Sequence, residues 1–204
     1  MRLPRPQRST LGVGALLVAG LALTQSLDAL LPSATGEDFG TGAQRPFVRE
    51  GTTGSPISLR AGDIAVSSVT GATTVEEPLY YPVTTEAVFL VIRFTWTPRT
   101  QRSSITKVEL KDTHDRTFTA TSIGSGRDGV SCPIPPPGVT ADCTAVVELP
   151  RDALPGAVVT LSTNAIDVGL DDVAQVPVGV DEAAAATYGR GTTATIVSGY
   201  KGLQ

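Results

Sequence analysis

The two cysteines are the residues of this sequence whose chemistry is most specific. Cys132 and Cys143 are separated by ten residues, four of which are prolines. In an oxidising compartment outside the cytoplasm two cysteines pair readily, and closing a loop of this length stabilises a fold by roughly 3 kcal/mol. We therefore predict a disulfide between Cys132 and Cys143. The alternatives are two buried free thiols or a redox-active pair, but redox motifs place their cysteines two residues apart.

A metal site is the second chemistry to consider, at the single histidine and at an acidic stretch further along the chain. His114 lies in Asp112-Thr113-His114-Asp115, where carboxylates flank the imidazole, but these residues are also typical of a hairpin turn. Five other residues offer the oxygen ligands that calcium prefers, namely Asp167, Asp171, Asp172, Asp181 and Glu182. Their spacing lacks the glycine-hinged calcium loop, so a solvated acidic face is favoured and no metal site is predicted.

The common catalytic and nucleic-acid-binding patterns are absent from the sequence. The sequence contains no Gly-x-Ser-x-Gly elbow, no phosphate-binding loop ending in Gly-Lys and no His-Glu-x-x-His motif. No nucleophile and base can be nominated around the one histidine, so we predict a non-enzymatic protein without a cofactor. The chain carries 20 acidic and 16 basic residues, a net charge of −4, and lacks the broad basic face that nucleic-acid binding requires.

Three aromatic side chains are the candidates for recognition. Tyr80 and Tyr81 fall between two prolines in a predicted loop, where aromatic side chains bury much area at a low entropic cost. Covering one end of the domain is the simpler role for them. Trp96 ends the longest predicted strand and is assigned either to the core, against the disulfide, or to an exposed rim that binds a partner.

The elements that must position these residues are β-strands. In residues 86–97 apolar side chains alternate on one face of a predicted strand, and Phe89 and Val91 make the first half of the other face apolar as well. Such a strand belongs in the middle of a sheet. Other short strands surround it, including one over residues 62–69 with a bulge and a hairpin that turns at residues 112–115. The pattern predicts an all-β, immunoglobulin-like antiparallel β-sandwich, because no helical period occurs outside the N-terminal segment.

The first 31 residues have the pattern of an export segment. Three arginines precede an uncharged apolar run that begins near residue 10, and cationic residues before such a run place the N-terminus in the cytoplasm. We predict a cytoplasmic segment at 1–9 and a single transmembrane helix at 10–31, with the rest of the protein outside the cell membrane. A cleaved signal peptide is the alternative, although the small-x-small cleavage sites are poor.

The remainder of the chain divides into three predicted parts. Residues 32–55 are rich in glycine and lack hydrophobic periodicity, as in a flexible linker. The β-sandwich is assigned to residues 56–165, and a C-terminal extension that is partly strand to residues 166–204. From residue 32 onward, 13 basic and 19 acidic residues give a net charge of −6, which disfavours binding to an anionic lipid surface.

Several of these strands resemble a known family. The matching segments are residues 59–66, 88–95, 108–112, 117–120, 137–139 and 145–150. Over about residues 55–163 the chain resembles the telokin-like immunoglobulin-fold domain of bacterial, in particular actinobacterial, surface proteins, a family largely without assigned function. The resemblance implies the sandwich fold. Residues 97–100 and those beyond 165 depart from the family's pattern, which leaves the C-terminal domain boundary open.

Together these observations predict a protein of the cell membrane with a single span, a cytoplasmic N-terminus and an extracytoplasmic C-terminal domain. We expect it to bind another envelope or membrane protein as a non-enzymatic accessory subunit. The alternative is a secreted carrier that binds a small ligand after signal cleavage, and the sequence does not identify that ligand. An intact N-terminus in the membrane fraction would distinguish the first from the second.

Overall fold

Two β-sheets packed face to face form the described part of the protein, which in this computed structural model comprises residues 45–123, 129–166, 169 and 171–201. The predicted segments 1–9 and 10–31, and residues 32–44 of the predicted linker, lie outside it. Within the described ranges no helix is long and apolar enough to cross a membrane. The structure is a β-sandwich with almost no helix, as the sequence predicted.

The strands follow one another along the chain with little helix between them. They are β1 (Phe47–Glu50), β2 (Pro56–Ser58), β3 (Gly62–Glu76), β4 (Val83–Pro98), β5 (Lys107–Lys111), β6 (Thr117–Thr119), β7 (Val130–Ser131), β8 (Ala141–Leu149), β9 (Val158–Ser162), β10 (Asp172–Pro177), β11 (Thr193–Thr195) and β12 (Gly199–Tyr200). A 3-10 turn (Arg151–Ala153) follows β8, and helix α1 (Glu182–Ala185) follows β10. The first sheet has the order β1-β10-β9-β5-β6, and the second has the order β11-β3-β4-β8-β12, with β2 paired to β3 and β7 to β8.

Most neighbouring strands are antiparallel, as predicted, but two edge strands run parallel to their neighbours. β1 pairs with β10, beginning with Phe47 opposite Asp172, and β11 pairs with the end of β3. β1 lies inside the predicted linker. All four of its side chains are exposed, so its sequence lacks the alternation of apolar residues that predicts a strand. The sandwich thus extends to both sides of the predicted residues 56–165, and β10 is an interior strand of the first sheet.

β4 builds the core on both faces of the second sheet. Leu90 and Ile92 are buried between the two sheets, and full burial of each such side chain contributes about 1.5–3 kcal/mol. Phe89 and Val91 belong to a second apolar cluster on the outer face. β4 is flanked by β3 and β8, so the predicted central position is confirmed. A register shift after Val66 likewise confirms the bulge predicted in β3.

The C-terminal segment covers the outer apolar cluster. The cluster consists of Ala72, Val75, Phe89, Val91, Ile123, Val146 and Ile196. After β11 the chain crosses the sheet, where the Arg93 guanidinium donates to the Thr195 carbonyl at 3.2 Å and the Thr144 hydroxyl donates to the Val197 carbonyl at 2.6 Å. β12 then pairs with the start of β8. Ile196 is therefore held over β4 by hydrogen bonds on either side of it in the chain.

The two ends of the sandwich differ. At one end Phe47 begins β1, the Lys201 N–H donates to the Thr140 carbonyl, and the Cys132–Cys143 disulfide lies close by. We call this the disulfide end. The turn between β3 and β4 lies at the other end, which we call the hairpin end. The chain enters the described sandwich and leaves it at the disulfide end, opposite the β3–β4 turn.

Candidate recognition site

The β3–β4 hairpin projects beyond β8. β3 and β4 remain paired as far as Val75 opposite Val83, whereas β8 pairs with β4 only as far as Val88. We call residues 77–83, which form the turn and the first residue of β4, the hairpin tip. On the side of β8, the tip therefore extends beyond the end of the neighbouring strand.

Apolar side chains at the hairpin tip are exposed. Leu79 is fully exposed, Tyr81 is 94% exposed, Tyr80 is 51% exposed, and Val83 is also exposed. Leu79 has a φ of +76°, in the left-handed region that non-glycine residues rarely adopt and that costs about 1–3 kcal/mol. The Tyr80 N–H donates to the Glu77 carbonyl at 3.0 Å within the turn. Contiguous exposed apolar groups of this kind are typical of surfaces that meet a partner.

The predicted recognition residues Tyr80 and Tyr81 both lie in this tip. Leu79 and Val83 join them, and sequence reasoning passed over both. The signal was present in the sequence, because residues 78–83 read Pro-Leu-Tyr-Tyr-Pro-Val and contain no charged residue. Two prolines in six residues argue against a buried strand interior, so this apolar run belonged at a surface turn.

Both strands of the hairpin are held close to the tip. On β3, the Glu76 carbonyl accepts from the Ile196 N–H at 2.8 Å. On β4, the Thr85 hydroxyl donates to the Glu148 carboxylate at 2.5 Å. The Arg151 guanidinium donates to the Glu86 carbonyl at 3.0 Å. These contacts come from β8, the 3-10 turn and the C-terminal segment, so the tip is supported by the sandwich.

The hairpin is acidic as well as apolar at its tip. Residues 71–92 contain Glu76, Glu77 and Glu86 and no lysine or arginine. Glu86 is exposed, and the exposed Glu148 carboxylate lies beside Thr85 on the same side. The hairpin therefore combines exposed apolar side chains at its tip with carboxylates beside them.

Trp96, the third predicted recognition residue, is fully buried in the core between the sheets. Its indole Nε1–H donates to the Ser103 carbonyl at 3.0 Å. A side chain at Gly62 would come within 2.7 Å of the tryptophan ring, which explains the glycine at the start of β3. Trp96 therefore packs in the interior, and its ring is not available at an exposed rim.

The predicted disulfide between Cys132 and Cys143 is present. It joins the proline-rich loop after β7 to β8, with 4.4 Å between the two Cα atoms. The loop is further fixed by the Ser104 hydroxyl, which donates to the Cys132 carbonyl at 3.2 Å. The bond thus holds one wall of a cleft at the disulfide end.

This cleft has a volume of about 700 Å³ and opens between the β4–β5, β7–β8 and β9–β10 loops. Its main polar and apolar lining residues are Gln101, Ser103, Thr106, Ile134, Asn164 and Ile166. The Ser103 Oγ is buried and has no hydrogen-bond partner in the described structure. We call it the disulfide-end cleft. No sequence pattern identified it, because three loops far apart in the chain contribute to it.

The segment around His114 is a hairpin turn. The buried Asp112 carboxylate accepts the N–H groups of His114 and Arg116 at 2.8 and 2.9 Å, and it also accepts the Arg116 guanidinium. Asp115 adopts a φ of +61°, the left-handed conformation that Asp tolerates in turns. Burial raises the pKa of the Asp112 carboxyl, but these donors outweigh burial and hold the pKa below its usual value. Asp112 therefore acts as the turn's internal acceptor.

The acidic residues considered for calcium are dispersed. The buried Asp172 carboxylate accepts the Arg60 N–H at 2.8 Å and thereby joins β10 to the turn between β2 and β3. Asp171 accepts from the Asn164 amide at 3.3 Å, and Asp181 accepts the Ala184 N–H at the start of α1. Asp167 lies outside the described residues. Within the ranges that the structure describes, no group of three or more His, Cys, Asp or Glu side chains is placed to hold a metal ion.

No protein family model and no curated protein matches this chain. A solved structure of an uncharacterised β-sandwich protein from Clostridium difficile 630 is similar to it, with 15% sequence identity and a TM-score of 0.43. The similarity covers 64% of this chain and 95% of that chain. It is a likeness of fold alone.

Proposed function

We propose that this protein is a membrane-anchored, extracytoplasmic accessory subunit that binds another envelope or membrane protein through the β3–β4 hairpin tip. The single observation that carries the proposal is the exposed apolar group formed by Leu79, Tyr80, Tyr81 and Val83 on a supported hairpin. Aromatic side chains on a rigid support provide contact area at a low entropic cost, which is why they dominate the energetics of many interfaces.

The partner is a protein surface and not a lipid surface. Tyrosine and leucine at a loop tip also suit a membrane interface. Glu76, Glu77 and Glu86 on the same hairpin outnumber the Arg151 guanidinium that contacts the Glu86 carbonyl, and they oppose approach to anionic lipid. A partner protein with an apolar pocket bordered by lysine or arginine would complement both the apolar side chains of the tip and the glutamates of the hairpin.

The position of the hairpin supports display to a partner. The chain enters the sandwich at the disulfide end, next to Phe47, and the tip lies at the opposite end. The hairpin end therefore lies away from the point at which the chain enters the described sandwich. We propose no catalytic residue and no cofactor.

Photo-cross-linking of the full-length protein in its native membrane tests the proposal. A photoreactive amino acid replaces Tyr81 in one sample and Val139, an exposed residue at the disulfide end, in the other. We expect position 81 to cross-link one envelope or membrane protein reproducibly, and Leu79→Ser in the same chain to abolish that product. Identical products from positions 81 and 139, or an adduct with lipid alone at position 81, would refute the proposed role of the tip.

A further inference from the structure

The loop between β7 and β8 exposes apolar side chains at the disulfide end. Ile134 is 56% exposed, Val139 is also exposed, and so are Pro136 and Pro137 between them. Residues 129–141 contain no charged side chain. We call residues 132–139 the proline loop. Exposed apolar groups in such an uncharged stretch mark a surface that meets a protein or a membrane.

The proline loop is held in place by the rest of the sandwich. The disulfide joins Cys132 to β8. The Arg102 guanidinium donates to the Ile134 carbonyl at 3.3 Å, and the Gly138 N–H donates to the Pro98 carbonyl at 2.8 Å. Because the segment that carries Ile134 is already fixed, little conformational entropy is lost when this side chain is buried against another surface.

The backbone of the proline loop suits a medium of low polarity. Four of its eight residues are prolines, which have no N–H group. The N–H groups of Gly138 and Val139 already donate within the protein, that of Val139 to the Pro136 carbonyl at 3.1 Å. Backbone donors that lose water without gaining a partner make entry into a bilayer costly. This loop carries few donors of that kind.

Cations border the proline loop. Arg102 contacts it directly, and the backbone N–H of the exposed Lys201 donates to the carbonyl of Thr140, the next residue after the loop. Arg99 lies beside them but is ion-paired with Asp63 at 2.9 Å. Arg102 and Lys201 therefore give the surroundings of the loop a positive charge, opposite in sign to the net charge of −4 of the whole chain. Apolar side chains with cations around them are typical of segments that bind the surface of an anionic bilayer.

The entry of the chain favours lipid over a second protein as the partner of this loop. Phe47 begins β1 at the disulfide end. With a span at residues 10–31, as proposed above, the 13 residues 32–44 reach at most about 50 Å even when fully extended. The disulfide end then stays within that distance of the bilayer. We propose that the proline loop docks on the bilayer surface, with Ile134 and Val139 in the head-group region and Arg102 and Lys201 against lipid phosphates.

This inference rests on the membrane anchor of the proposed function and not on the partner of the hairpin tip. The full-length protein is reconstituted into vesicles of brominated phosphatidylcholine and phosphatidylglycerol, with Ile134→Trp in one sample and Tyr81→Trp in the other. The native Trp96 is buried and provides a constant background. We expect the bromine atoms to quench the added fluorescence at position 134 and not at position 81. Since both positions receive the same indole, its own affinity for lipid does not explain a difference.

Removing the cations tests the second part of the proposal. Arg102→Gln combined with Lys201→Gln, in the Ile134→Trp chain, should lower the ratio of docked to undocked protein by about 25-fold, since each cation near an anionic surface contributes about 1 kcal/mol. Quenching at position 134 should fall accordingly. Lys111→Gln combined with Arg190→Gln removes the same charge from two exposed residues outside the proline loop and should leave the quenching unchanged.

Flotation of the vesicles separates this inference from the anchor itself. If the protein floats with the vesicles but position 134 is quenched no more than position 81, docking of the loop is overturned and the anchor stands. Quenching that is equal in the two double variants overturns the role of Arg102 and Lys201. A protein that does not float with the vesicles lacks the anchor, and both proposals then fail.

Discussion

The phenolic hydroxyl of Tyr188 donates a hydrogen bond of 3.0 Å to the carbonyl oxygen of Val69, in the middle of β3. The tyrosine ring lies over Gly71, where a Cβ atom would come within 2.5 Å of it. Thr192 provides a second hydrogen bond to β3, because its hydroxyl donates to the Gly71 carbonyl at 2.9 Å. The C-terminal segment is therefore part of the sandwich and stabilises its second sheet.

Tyr188→Ala should destabilise the protein by about 2 kcal/mol, because it removes a half-buried ring and its hydrogen bond, and Tyr188→Phe by about 1 kcal/mol. Urea denaturation of the full chain measures both. Tyr81→Ala is the matched control, since an exposed tyrosine should change the free energy of unfolding by less than about 0.5 kcal/mol. Equal free energies of unfolding for Tyr188→Ala and Tyr81→Ala would show that the Tyr188 side chain does not bind the C-terminal segment to β3 in solution.

Two adjacent residues test the outer apolar cluster. Ile196 is buried in it, whereas Val197 is exposed. Ile196→Ala should cost about 2–4 kcal/mol from lost burial and the cavity left behind, and Val197→Ala less than about 0.5 kcal/mol. Thermal and urea unfolding give both values. A small, equal effect of the two substitutions would place Ile196 at the surface, contrary to the structure.

The turn at Asp112 predicts a dependence of stability on acid pH. The pKa of its carboxyl in the folded protein lies below the value of about 3.9 that an unfolded aspartate has. A depressed folded pKa stabilises the protein above pH of about 4, and that contribution is lost as the pH falls through the folded pKa. Asp112→Asn should therefore reduce stability at neutral pH and flatten its decline in acid.

The control for this effect is Asp115→Asn in the same turn, whose carboxylate is largely exposed. Stability is measured by denaturation at neutral pH and in the acid range. In Asp115→Asn it should decrease as the pH falls, nearly as it does in the unaltered protein. If Asp112→Asn retains the full acid dependence, the carboxylate does not contribute in the way the contacts with His114 and Arg116 indicate.

The sequence predicted those elements whose signal is local. β4 was identified because Phe89 and Val91 add a second apolar face to a regular alternation, and only a central strand can bury both. The turn at Asp112 was identified from turn residues adjacent in the chain. The disulfide followed from an even cysteine count and short spacing. In each case the residues that decide the structure lie within about a dozen positions of one another.

Strand pairings between distant parts of the chain were not predicted, although the extension at residues 166–204, which contains β11, was predicted to be partly strand. β1 exists because Phe47 pairs with Asp172, and β11 because Thr193 pairs with Thr74, more than a hundred residues away in each case. Short edge strands with exposed side chains carry no apolar alternation, so their sequences resemble linkers. The burial of the unpaired Ser103 hydroxyl could not be predicted from the sequence either, because it depends on three loops that meet only in the folded protein.

Anchoring and disulfide formation can be measured together. The intact mass of the protein is determined in the membrane and soluble fractions of its native cell, before and after reduction. We expect the uncleaved chain in the membrane fraction, with a gain of two hydrogen atoms on reduction of the bond between Cys132 and Cys143. A soluble chain that begins near Thr35 would instead support a secreted carrier, and an unchanged mass on reduction would exclude the bond.

The most direct test of the central claim is the affinity of the full-length protein for the partner cross-linked at position 81. Leu79→Ser combined with Tyr81→Ser should weaken that affinity by about 30-fold or more, since truncation of interface anchors commonly costs at least about 2 kcal/mol. Ile134→Ser combined with Ile166→Ser, which removes two exposed side chains at the opposite end, should leave it within about twofold. Equal affinities of the two double variants would contradict recognition through the hairpin tip.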